Sequence, residues 1–109
     1  YRYDKQRQLF ENNHRLYKEI KENDTLRTEA MHLWICCLNL LIDMGRCTDA
    51  DQADYHYMID EADAHHPSYK ELIKAAPDIA TRAKLLPLPL MGLKAYCRSY
   101  TSFTKPLQP

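Results

Sequence analysis

Valine is missing from this 109-residue chain, and glycine occurs only twice, at Gly45 and Gly92. Strands draw on β-branched residues and tight hairpin turns on glycine, so the two shortages together argue against a sheet. Two distant glycines, neither followed by Lys-Ser or Lys-Thr, also exclude a glycine-rich phosphate loop and with it the usual scaffold for phosphoryl transfer. No GxSxG elbow and no HExxH occur. Cys36, Cys37, Cys47 and Cys97 form no CxxC pair and read as reduced packing thiols. The neighbours Cys36 and Cys37 would diverge by about 100° on a helix, so a bond between them would distort it. No run reaches the roughly 20 apolar residues that a bilayer crossing needs. A signal-peptide pattern is lacking too, so an intracellular, cytoplasmic location with no membrane partner is expected. Because the chain opens at Tyr1 and not at methionine, it is expected to be a piece of a longer protein.

Against these shortages stands one dominant stretch, TLRTEAMHLWICCLNLLIDMG over residues 25–45, in which only His32, Asn39 and Asp43 are polar between Met31 and Met44. It is too long for a strand and rich in helix formers, which predicts a central, largely buried helix. Asp24 or Thr25 is expected to cap its start, and Gly45 to close its end in the left-handed conformation. His32, Cys36, Asn39 and Asp43 follow the spacing i, i+4, i+7, i+11 and therefore share one side. That line is either the wet edge of the helix or, through His32 and Cys36, part of a metal or proton-handling site that needs further ligands from elsewhere.

Residues 2–23 predict a first helix, laced on its solvated face by i, i+4 pairs such as Arg7 with Glu11, Glu11 with Arg15, Arg15 with Glu19, and Lys18 with Glu22. Tyr3, Phe10 and Tyr17 recur at heptad spacing, as rings that pack on the central helix or on a protein partner. Thr48 is expected to cap a third helix reaching Ala64, with Tyr55, Met58, Ile59 and Ala62 facing inward. On its other face His56, Asp60 and Asp63 sit at i, i+4, i+7, a pattern that permits a divalent metal and equally a solvated acidic face. Ser68 and Glu71 form a capping box for a short helix over Tyr69 to Ala76. Pro77 suits the first position of the next one. Pro87 and Pro89 in LLPLPL predict an extended link.

Residues 90–100 predict a last helix with Leu90, Leu93, Cys97 and Tyr100 on one side. Here Lys94 and Arg98 alternate with Tyr96 and Tyr100, the composition of a nucleic-acid contact in which cations meet phosphate and rings stack on bases. A docked helix whose rings seal the core has the same composition. Residues 101–109 are expected to be a flexible tail to a single helical domain spanning 1–100.

Formal charge is zero overall but uneven. Residues 1–42 carry seven Lys or Arg against six acids, residues 43–66 one against seven, and residues 67–109 seven against two. An acidic middle and a basic end suggest internal neutralisation or head-to-tail contact. The sequence thus predicts an all-α bundle of five to six helices around residues 25–45. With no catalytic motif, no cofactor implied and a supply of eight Tyr and four Met, the expected role is non-catalytic. It is the binding of a protein partner or a second copy of the chain, with nucleic-acid binding and metal binding as alternatives.

Overall fold

A computed structural model describes residues 2–103. It is all-α: 80% of the structure is helical and no strand occurs among the described residues. The order is α1 (Tyr3–Ile20), a 3₁₀ turn (Asp24–Leu26), α2 (Arg27–Arg46), α3 (Gln52–Ala64), α4 (Tyr69–Lys74), α5 (Ile79–Leu85), the single-turn α6 (Leu88–Met91) and α7 (Leu93–Phe103).

α2 is the axis of the molecule. Trp34, Cys37, Leu41 and Met44 are wholly closed to water, and Ala30, Met31, Ile35, Leu38 and Ile42 nearly so. Buried side chains therefore point in nearly every direction around the helix, and neighbours must enclose it. α1 supplies Phe10 and Tyr17, α3 Met58, Ile59 and Ala62, α4 Leu72, α5 Leu85, and α7 Leu93, Tyr96 and Cys97. The Tyr3 amide at the start of α1 donates to Asp49 just beyond the end of α2 (3.1 Å), so α1 and α2 are antiparallel. Arg7 meets Asp54 early in α3 and Lys21 meets His65 at its end, so α1 and α3 run the same way. Tyr3, Phe10 and Tyr17, expected on packing or interface duty, are spent inside the chain on its own core, at 6, 1 and 2% exposure.

The polar line of α2 is mostly occupied by its neighbours. His32 Nε2 donates to the Ala75 carbonyl (2.7 Å), Lys84 Nζ donates to Asn39 Oδ1 (2.9 Å), and Asp43 pairs with Arg46 (3.6 Å). The first two of these contacts fasten the α4–α5 region along this edge, and the third lies within α2 itself.

Several local expectations are corrected. Gly45 is not left-handed: α2 continues through it to Arg46, because the only glycine at positive φ is Gly92. Asn23 caps the turn before α2, accepting from the Thr25 amide, and Asp51, not Thr48, caps α3 by accepting from the Asp54 amide. Pro77 lies outside α5, whose cap is Asp78. LLPLPL is not extended. Pro87 takes helical dihedrals and Pro89 sits in the first turn of α6, where a missing N–H costs no intrahelical bond. Leu90 falls in that turn and is 91% exposed, not part of the inward side of the last helix. Of the four i, i+4 pairs expected on α1, only Arg7 with Glu11 forms an ion pair among the described residues. Residues 101–103 continue α7, and the remainder of the expected tail, 104–109, lies outside the described residues.

Gly92 ends α6 at φ 80°, ψ 161°, a region open essentially to glycine alone. An added Cβ would meet nothing within 4 Å, so the penalty for a side chain is purely conformational. Gly92→Ala is expected to lower unfolding free energy by about 1–3 kcal/mol, read as a shifted urea midpoint at unchanged slope.

Candidate functional site

α1 and α3 run side by side but are bridged by side chains rather than by close backbone packing, and a groove of about 320 Å³ opens between them. Arg7, Phe10, Glu11, His14, Arg15 and Lys18 line it from α1; Tyr57, Met58 and Glu61 line it from α3. One end is closed by a network around Asp54. Its carboxylate accepts from Tyr3 Oη (2.8 Å) and from Arg7 through both Nε (2.6 Å) and Nη2 (3.1 Å), while Arg7 also pairs with Glu11. These bonds, led by that from Arg7, hold the Asp54 carboxyl below the usual carboxylate range. The charge of Arg7 is thereby committed. Arg15 and Lys18 have no ion-pair partner among the described residues and remain exposed on the rim.

His14 is the unusual residue of the groove. The line Phe10, His14, Tyr17 runs along the buried side of α1 at helical spacing, which places the imidazole between two rings, 5.2 Å from Phe10 and 6.2 Å from Tyr17, both near-parallel. His65 meets it edge-on at 5.9 Å. His14 is only 4% exposed, and its Nε2 has no hydrogen-bond partner among the described residues. An orphan of this kind costs about 1–3 kcal/mol. Burial first, then the positive charge of Lys18, push its pKa down to about 4, against an upward pull from Glu61. The imidazole is therefore neutral near pH 7. Sequence reasoning passed over His14 because it sits where an apolar residue would be expected. Its signal was a polar side chain embedded in the aromatic stripe of α1.

The residues expected to contact nucleic acid are brought together on α7 but do not present both rings. Tyr96 is wholly buried and its hydroxyl donates to the Lys84 carbonyl (2.7 Å), so its ring cannot serve as a stacking platform. Tyr100 is half-buried, 4.9 Å from the Tyr96 ring, with Lys84 Nζ 5.2 Å from its own centroid. Lys94 reaches Asp60 (3.8 Å), and Arg98 lies on the exposed face of α7. The Lys94–Asp60 pair is one place where the basic end meets the acidic middle of the chain.

Of the metal candidates, His56, Asp60 and Asp63 lie on the exposed face of α3, and His32 and Cys36 on the wet edge of α2. His32 already donates to a carbonyl and Asp60 already faces Lys94. Among the described residues no group of three or more His, Cys, Asp or Glu is placed to hold a metal ion. All four cysteines are free thiols, three of them buried. Burial pushes the Cys37 and Cys97 thiols up to about 12, which leaves them un-ionised and poorly nucleophilic. No helix among the described residues is long and apolar enough to cross a membrane.

The chain matches no protein-family model, no curated protein and no solved structure.

His14 makes stability depend on pH in a defined direction. Its value falls from 6.5 in the unfolded chain to about 4 in the fold, so between these limits the unfolded chain binds a proton that the folded one does not. Stability is lost as pH drops through that window. His14→Phe, which keeps a ring in the stack, is expected to reduce the loss between pH 7 and 4.5 by about 2–3 kcal/mol, measured by urea unfolding at both pH values.

Proposed function

We propose that the chain is a non-catalytic binding module that docks another protein surface on the outward face of α5 and α6. The observation that carries this reading is a line of apolar side chains that the described residues leave exposed. Ile79 is 86% exposed, Leu86 57% and Leu90 91%. Leu86 and Pro87 hold helical dihedrals between α5 and α6, so Ile79, Ala83, Leu86 and Leu90 follow the spacing i, i+4, i+7, i+11 and share one side, while Leu85 and Leu88 on the opposite side are buried. Met91, 38% exposed, extends the patch at its end.

Single exposed leucines need no explanation, but a helical stripe facing water is the pattern by which one helix lies against another chain. Zero formal charge places no net repulsion between copies, so a second copy of this chain is one such surface. The burial of Tyr96 weighs against the nucleic-acid alternative, since the remaining half-buried ring, Tyr100, already packs on it.

A photo-crosslinking amino acid at Leu90 tests the reading, irradiated in the purified protein at rising concentration and in extract of the producing cells. A discrete adduct is expected, at twice the chain mass for self-association or at another defined mass for a different partner. It should vanish when Ile79→Asp and Leu86→Asp are added. The absence of any discrete adduct, or one indifferent to both substitutions, would contradict the proposal.

A further inference from the structure

We propose that the groove between α1 and α3 binds a small aromatic carboxylate, with the exposed Tyr57 ring stacking on its ring over the buried Phe10 and Met58, and Arg15, Lys18 and His14 receiving the carboxylate. Three independent features meet there. The first is space: about 320 Å³ lies at the lower end of the range that small-ligand sites occupy. The second is a buried polar group in want of a partner. His14 lines the groove, and its Nε2 has no hydrogen-bond partner among the described residues. In the neutral imidazole that nitrogen is a donor in one tautomer, and a carboxylate oxygen is the strongest acceptor a ligand can offer it.

The third feature is the sign of the field. The charged groups that face His14 are Lys18 on α1, Lys21 just beyond its end and Glu61 on α3, and only Glu61 is negative. Glu11 also lines the groove and shares Arg7 with Asp54, but Arg7, Arg15 and Lys18 together outnumber Glu11 and Glu61 along the lining. An anion at the floor is therefore attracted, and a cation repelled. The side chains on the rim fit the same ligand. Tyr57 is 57% exposed and offers a ring face, whereas Arg15 and Lys18 are solvated side chains on flexible stems. Nε2 is shut off from water, so a ligand reaches it only when side chains that line the groove move aside. The groove shares no residue with the α5–α6 stripe, so the two proposals stand or fall separately.

The test is an NMR titration of the purified protein, following the His14 ring and the Arg15, Lys18 and Tyr57 signals, with benzoate, its neutral isostere benzamide, and inorganic phosphate as probes. Benzoate is expected to move these signals saturably, with benzamide and phosphate each at least tenfold weaker. Arg15→Gln with Lys18→Gln should weaken benzoate at least tenfold while leaving the helical circular dichroism unchanged. Because His14→Phe could disturb the core, the rim variants are the deciding ones. Acetyl-Gly-Gly-Phe separates the sources of such a group: tighter binding than benzoate marks the end of a peptide chain, weaker binding a free small molecule. Benzamide or phosphate binding as well as benzoate, an unaffected rim double variant, or shifts that do not saturate or that map elsewhere would each overturn the proposal.

Discussion

A helix that is apolar in almost every direction cannot rest on one neighbour, and that constraint on α2 organises the molecule. Amphipathic helices need one partner; α2 needs a ring of them, and α1, α3, α4 and α7 all lie against it. Each of these gives up its own apolar side to the same core, from Phe10 and Tyr17 on α1 to Tyr96 and Cys97 on α7. The few polar positions of α2 then become fastening points. His32 and Asn39 hold the α4–α5 region through one carbonyl and one lysine, and so settle where the short helices attach.

Enclosing α2 leaves less to hold its neighbours to one another. α1 and α3 are linked at one end by the Asp54 network and at the other by Lys21 and His65, with a groove between. His14 sits in that groove at the cost of an unpartnered nitrogen and a depressed pKa. A phenylalanine would fill the same stack without either penalty. Buried polar groups kept against such a cost are where binding chemistry is sought, and here the surrounding charges favour an anion. The apolar stripe on α5 and α6 is a different kind of feature: an apolar side that the described residues leave exposed.

What could be read from the sequence followed from strong periodicity. The absence of valine and the long apolar run over residues 25–45 led to an all-α fold around one helix, and the inward set Tyr55, Met58, Ile59 and Ala62 is buried as the spacing of α3 implied. The Ser68 cap was legible because its mechanism is local, its hydroxyl accepting from the Glu71 amide. Glycine and proline misled, because their meaning depends on what lies downstream. Gly45 has helical neighbours on both sides and simply continues α2, whereas Pro87 and Pro89 fall where a helix begins, the one place their missing donors do no harm. Tyr96 and Tyr100 alternate with Lys94 and Arg98 in sequence, yet a helix turns Tyr96 inward and Lys94 outward, so alternation along the chain did not become a mixed surface. His14 and the exposed stripe were not foreseen for a common reason. Each depends on which face of a helix its neighbours cover, and that is settled by tertiary packing.

The central claim, that α2 is enclosed and carries the stability of the whole, is open to native-state hydrogen exchange. Amides from Leu33 to Leu41 are predicted to exchange only through global unfolding, with an opening free energy equal to that from urea denaturation, while those of α4 to α6 open at lower cost. If the amides of α2 exchanged through local openings as easily as those of the short helices, the enclosure of α2 would be contradicted.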